Sequence, residues 1–399
     1  MEQDIQLQVK PGFIKKYQNG FPLIEKAALV NPDVLKKEGV IVHLVDTHRA
    51  FLAKGYYGRQ NKGYGWVLSQ KQSETIDAAF FARKIQKALQ LRQQFYHHPE
   101  TTAFRVFNGE GDGIGGLTID YFDGFYLLQW YSEGIYTFKE AVIQALKNAV
   151  DYRGIYEKKR FDSKGKYIDD DDFVTGERGE FPIVVKENGV KLAVHLNEGA
   201  MVGVFLDQRN VRQRIMTHYA KGKTVLNMFS YTGAFSIFAA CGGALKTTSV
   251  DVANRSRPKT TENFHLNGID EAQHDIIVED VFQYFKYARK KQLSFDMVVV
   301  DPPSFAKTKK HTFSVGKDYK DLMKDTIALT KPDGTIVAST NYSALSMQKF
   351  KGIIAQAFRE LNLNYQLLEV HTVPEDFRTI ASFPEGNYLK VLFIKKLDK

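Results

Sequence analysis

The chain has 399 residues, one cysteine, and a net charge of +9 from 55 Lys and Arg against 46 Asp and Glu. At roughly 100–200 residues per domain it should fold as two or three domains, and 43% hydrophobic with 25% charged residues excludes a disordered or collagen-like chain. One cysteine excludes an intramolecular disulfide and a cysteine-built zinc or iron–sulfur centre, and it suits a reducing compartment.

The start, MEQDIQLQVK, lacks the basic-then-apolar order of a signal peptide. No apolar run reaches the roughly 18 residues of a membrane span, so a cytoplasmic protein with no membrane partner is expected. The basic excess points to a polyanionic partner.

Residues 1–75 read as a small all-β domain. Residues 39–46 are mostly apolar and β-branched, as in a buried strand, and Phe51-Leu52-Ala53-Lys54-Gly55-Tyr56-Tyr57-Gly58 returns as a second. Glycines interleaved with aromatics from Gly55 to Trp66 suit a compact barrel with tight corners.

Residues 76–190 read as an α+β domain. Ser73-Glu74-Thr75-Ile76 offers an N-cap, and Ile76, Phe80, Ile85 and Leu89 share one face of a helix running to about Tyr96. Strands are expected at 104–108 and 117–121, flanking the glycine-rich turn 109–116. A strand at 126–130, a helix at 137–149 and a strand near Ile155 follow. The stretch 162–179, with four consecutive aspartates from Asp169 to Asp172, reads as a solvated loop. A single run of carboxylates does not converge on a cation, so no metal site is expected.

From 191 to 399 strands and helices alternate. Strands are expected at 224–228, 248–250, 275–278, 295–300, 335–339, 367–371 and 388–394, and helices at 235–241, 259–266, 319–329 and 347–361. That rhythm implies a doubly wound sheet covered on both faces. Net charge divides as +4, −3 and +8 over the three segments.

The chemistry concentrates in the last segment. Asn227-Met228-Phe229-Ser230-Tyr231-Thr232-Gly233 joins a short apolar strand to a helix through a polar turn. In an open α/β sheet a nucleoside ligand docks at that turn. Gly233 permits close backbone approach, while Asn227, Ser230 and Tyr231 offer polar groups. The dinucleotide and P-loop fingerprints are absent. Asp251, at the end of the next strand, suits a pair of ribose hydroxyls, and Asp280, after the third, suits an adenine amino group. A tight turn without ligand is the plain alternative.

Asp301-Pro302-Pro303-Ser304-Phe305 follows the apolar strand 295–300. Two prolines hold the chain extended and out of the ladder. A fixed carboxylate and the Pro302 carbonyl then face a planar base, with Phe305 available for stacking. Asp301, Pro302 and Phe305 are therefore the candidate catalytic residues.

These motifs, with residues 51–57, 107–113 and Gly203-Val204-Phe205-Leu206-Asp207-Gln208-Arg209, occur in the order found in the ribosomal RNA large-subunit methyltransferase I/K-like family, which the whole chain resembles. The resemblance implies an N-terminal PUA domain that binds RNA, a small α+β middle domain and a Rossmann-like, seven-stranded class I methyltransferase domain. It also implies S-adenosylmethionine as cofactor, with Phe205, Gln208, Arg209 and Asp301 bordering it, and large-subunit ribosomal RNA as partner. A homodimer is compatible with it.

The chain departs from the family at one position type. The family's cytosine-C5 enzymes carry a cysteine after the fifth strand, because C5 attacks only after a thiolate adds to C6. The matching stretch here, Val337-Ala338-Ser339-Thr340-Asn341-Tyr342-Ser343, has none. The single Cys241 lies on the helix after the cofactor turn, among small apolar residues, and is expected to be a packing residue. Transfer to a nitrogen is therefore expected, guanine N7 before an exocyclic amine. The competing readings are a methyltransferase acting on a protein or small molecule, and an RNA module that binds the cofactor without catalysis. Lys307 and the following residues to His311 are expected to form a phosphate-contacting lid, or else a plain solvated loop.

Overall fold

The computed structural model describes residues 5–60, 63–161, 171–307 and 312–397. The chain divides into two compact units, one of residues 1–183, 194–202 and 375–386, the other of 184–193, 203–374 and 387–399. Among the described residues no helix is long and apolar enough to cross a membrane.

The first unit holds two sheets. One has four strands in the order Ile5–Gln8, Ile41–Val45, Phe51–Gln60, Gly63–Ser69, and its first pair is parallel. The other has five, Ala103–Asn108, Leu117–Phe122, Phe125–Trp130, Gly154–Lys159 and Phe173–Gly176, in that order. A single core containing Leu7, Tyr56, Trp66, Phe80, Phe107, Trp130 and Phe383 runs through both. Gly115 lies flat on Trp66, where a Cβ would come within 2.2 Å of the ring.

Several expectations change here. The first segment is not all-β. Pro11–Gln18 is a helix with proline in its first turn, where a missing N–H costs nothing. Its Tyr17 is buried, donates to the Leu23 carbonyl and accepts from Glu25 N.

The next helix is Ala78–Leu91, capped by Asp77, whose carboxylate accepts from Phe80 N at 2.9 Å. Ser73 is therefore not the cap, because Asp77 supplies the same chemistry four residues later.

The acidic stretch is not wholly solvated. Asp169 and Asp170 lie outside the described residues, but Asp172 is 8% exposed and paired with the buried Lys158, and Asp171 pairs with Arg178. The edge strand Phe173–Gly176 follows at once.

The second unit is built on seven strands: β1 Thr224–Met228, β2 Lys246–Asp251, β3 Asp275–Val278, β4 Phe295–Val300, β5 Thr330–Thr340, β6 Tyr365–His371 and β7 Lys390–Lys396. Their order is β3-β2-β1-β4-β5-β7-β6, with β7 antiparallel to both neighbours and β1 to β5 parallel. Alternate residues face opposite cores. Leu226, Met228, Val298 and Val300 enter one, and Val225, Met297, Val299 and Val337 enter the other. Both faces being covered explains the unbroken apolar run of β4. Strand order reverses between β1 and β4, which opens a crevice at the carboxyl ends of the strands.

Candidate active site

Of the residues singled out from the sequence, Tyr231 meets Asp251 and Phe205, and Asp301 meets Gln208. After β1 the chain turns through Phe229 and Tyr231, both left-handed at φ 60° and 53°, a conformation uncommon for residues other than glycine. Backbone bonds hold the turn: Ser230 N donates to the Val250 carbonyl at 3.0 Å and Gly233 N to the Ser230 carbonyl at 2.8 Å. The Thr232 hydroxyl donates to the Gly203 carbonyl at 2.7 Å. Gly233 sits at φ 75° against Thr260, where a Cβ would come within 2.5 Å of Cγ2. Glycine is required there by both conformation and space.

Asp251 ends β2 and braces this turn. Its carboxylate accepts from Tyr231 N at 2.8 Å and from Ala253 N at 2.9 Å. A carboxylate offers about four acceptor positions, so hydroxyl donors can still be bound.

Asp280 caps the helix Val281–Lys290 by accepting from Phe282 N and Gln283 N through Oδ1. Asn227 is fully buried in β1 and bonds Ser236 through Nδ2, while its Oδ1 has no partner. Phe205 is 41% exposed and packs on Tyr231 with ring centroids 5.4 Å apart. Arg209, the first residue of the helix Arg209–Arg214, is buried.

Asp301 follows β4 directly. Gln208 reaches it from the 3-10 turn Leu206–Gln208, with Nε2 3.0 Å from Asp301 Oδ2 and 2.9 Å from Ser339 Oγ. Burial pushes the Asp301 carboxyl up to about 6, and Asp207 adds to the rise, while hydrogen bonds from Ser339 and Gln208 and the charge of Arg212 oppose it. Pro302 is buried. Phe305 opens a two-stranded hairpin, pairing with Ser314, and is 62% exposed. Ser304 Oγ donates to Asn341 Oδ1 at 2.7 Å, joining the proline turn to the end of β5.

The sequence reading passed over two features of this region. Ser339 accepts from the same Gln208 amide that bonds Asp301, but a serine inside a strand has no local signature. Glu187 and Arg212 form a buried bidentate pair at 2.7 and 2.6 Å, and Arg212 also donates to the Phe205 carbonyl at 2.9 Å.

Cys241 departs from expectation. It is exposed, because it stands at the last turn of the helix Ala234–Cys241 rather than against the sheet. Of the expected lid, Lys307 ends the short strand Phe305–Lys307 and residues 308–311 lie outside the described residues. No cluster of three or more His, Cys, Asp or Glu among the described residues is arranged to hold a metal ion.

The site can hold an adenosine-type cofactor. It has a glycine cradle, a carboxylate at the end of β2 with acceptor capacity to spare, and buried unpartnered oxygens on Asn227 and Gln208.

Comparison with known proteins gives the same picture. The family model for S-adenosylmethionine-dependent methyltransferases matches residues 105–381, and a PUA-like domain matches residues 7–70. A Bacillus subtilis protein provisionally named ribosomal RNA large subunit methyltransferase YwbD is 60% identical over 98% of this chain and 99% of its own. Ribosomal RNA large subunit methyltransferase I of Klebsiella pneumoniae is 32% identical over 92% of each. A crystal structure of a protein provisionally called a methyltransferase, complexed with SAH, superposes with a TM-score of 0.91 at 38% identity, covering 98% of this chain and 100% of that one. Seven strands in this order, a PUA-like domain ahead of them and relatives matched end to end have one consequence: the chain belongs to the S-adenosylmethionine-dependent methyltransferases, in the family that includes ribosomal RNA large subunit methyltransferase I.

Proposed function

We propose that the protein methylates a base of large-subunit ribosomal RNA at a nitrogen, guanine N7 before an exocyclic amine. The observation that carries the nitrogen reading is the missing thiol. The chain has one cysteine, and it ends a helix whose first residue adjoins the cofactor turn. At 1.5 Å per residue that helix takes Cys241 about 10 Å back from the carboxyl ends of the strands. The end of β5 offers Ser339, Thr340, Asn341 and Tyr342 instead. Without a thiolate, C5 of cytosine has no route to nucleophilicity. The ribosomal RNA part of the reading draws on the names of the relatives and on the basic, PUA-like first segment.

In this reading Gly233, Ser230 and Tyr231 line the cofactor with backbone groups, Asp251 accepts from the ribose hydroxyls, and Asp280 faces the adenine. Phe205, Gln208, Arg209 and Asn227 wall the remainder. S-adenosylmethionine, when bound, would supply an electrophilic methyl group: the base lone pair would form the N–C bond as the C–S bond breaks toward sulfur, and the positive charge would pass to the base, which keeps it at N7 and sheds one N–H proton to water at an exocyclic amine. Asp301 and the Pro302 carbonyl orient the base and face that charge, and Phe305 stacks on it. Positioning and a prearranged field are then the main contributions of the protein. The base must leave its stack to reach the pocket, which costs a few kcal/mol.

Binding and transfer to ribosomal RNA, measured at about 50 and 200 mM salt, test the RNA part, because phosphate contacts impose a steep fall in affinity with salt. The expected result is labelled methyl in RNA and an affinity that falls at least about tenfold. Methyl incorporated only into protein or a small molecule, with salt-independent RNA binding, contradicts it.

A further inference from the structure

We propose that Gln208 and Ser339 are positioning residues that hold the Asp301 carboxylate toward the incoming base and keep it ionised, so that it balances the charge the base acquires. The proposal deepens the nitrogen reading above and rests on it.

Three elements distant in sequence meet here: the turn before Arg209, the carboxyl end of β4 and the carboxyl end of β5. The Gln208 amide commits both of its hydrogens, one to Asp301 Oδ2 at 3.0 Å and one to Ser339 Oγ at 2.9 Å. The Ser339 hydroxyl accepts from Gln208, so one amide ties the Asp301 carboxylate to the end of β5. Rotating the carboxylate away breaks its bond to Gln208.

Gln208 is 3% and Ser339 0% exposed while Asp301 is half-buried, and such bonds are stronger away from water. A residue that merely walled the cofactor would have no reason to spend both amide hydrogens on these two oxygens. The end of β5 is itself fixed, because the buried Tyr319 hydroxyl donates to the Ser339 carbonyl at 2.8 Å from the helix Val315–Leu329.

The charged groups around Asp301 act in opposite directions. Asp207, held by the Tyr388 hydroxyl at 2.7 Å, repels the carboxylate, and Arg212 attracts it. Tyr319 stays neutral, because burial pushes its hydroxyl well above the usual range. Hydrogen bonding from Gln208 and Ser339 favours the ionised form. Removing either donor therefore raises the pH at which Asp301 ionises, and removing the Asp207 charge lowers it.

The test is carboxyl-carbon NMR of the full-length protein labelled at aspartate, with the Asp301 signal assigned by its loss in Asp301→Asn. The kcat and KM profiles are followed between pH 5 and 8. In the parent the Asp301 signal titrates near 6 and kcat rises through the same midpoint, since the ionised form is the active one. Ser339→Ala and Gln208→Leu move both midpoints up by about half to one pH unit. Asp207→Asn moves them down, and Ser339→Thr, which keeps the hydroxyl, restores the parent value.

A general loosening of the fold would not move midpoints in opposite directions. An Asp301 signal that stays in place in Ser339→Ala and Gln208→Leu overturns the positioning, whichever atom is methylated. Midpoints that move as expected while the product is methylated on carbon overturn the nitrogen reading and leave the control of Asp301 by Gln208 and Ser339 standing.

Discussion

Replacing Asp301 with Ala lowers methyl transfer by about 10²–10³-fold or more, the loss expected when a prearranged electrostatic partner of the reacting group is removed. Affinity for S-adenosylhomocysteine, read by calorimetry, stays within about threefold, because the carboxylate bonds Gln208 and not the backbone of the turn after β1. Asp301→Asn keeps an acceptor for Gln208 and loses only the charge, so it separates chemistry from folding, and it too loses transfer. Asp251→Ala behaves in the opposite way. It releases Tyr231 N and Ala253 N and weakens cofactor binding first. Turnover in both Asp301 variants equal to that of the parent would remove Asp301 from the mechanism.

Glu187→Leu lowers the stability of the second unit by about 3–5 kcal/mol, since it strands the Arg212 guanidinium without its partner. Both residues are essentially inaccessible. For a unit of this size that is a fall of roughly 6–20 °C in the melting temperature, read by scanning calorimetry. The double variant Glu187→Leu/Arg212→Met recovers most of the loss, because a packed apolar pair removes the uncompensated charge. It does not recover cofactor affinity, since Arg212 also holds the Phe205 carbonyl and Met cannot donate. A single variant as stable as the parent contradicts the account of this pair.

How much of this was legible in the sequence depended on what holds each element. The central strand β4 was legible because burial on both faces leaves an uninterrupted apolar signature, Met297-Val298-Val299-Val300. Asp251 and Asp301 stood out because each lies at the carboxyl end of a strand expected from the sequence, and the family resemblance implied seven strands, while their order is seen only in the fold.

The helix Pro11–Gln18 was not legible. It is two turns long, and its pattern, with only Tyr17 fully buried, is too short to set a period. The cap at Asp77 was missed because Ser73 offers the same chemistry nearby. In the site, neither Phe229 nor Tyr231 announces a left-handed turn, because that conformation is imposed by the bonds to Val250 and Asp251. Ser339 and the Glu187–Arg212 pair escaped for a related reason. Their partners lie 131 and 25 residues away, and such contacts leave no local trace.

The central claim is that the methyl group goes to a nitrogen and that the missing thiol decides it. Mass mapping of modified nucleosides in large-subunit ribosomal RNA, from cells with and without the gene, tests it most directly. The predicted result is the loss of one 7-methylguanosine, or failing that one base methylated on its exocyclic amine, with every 5-methylcytidine retained. Loss of a 5-methylcytidine would contradict the account.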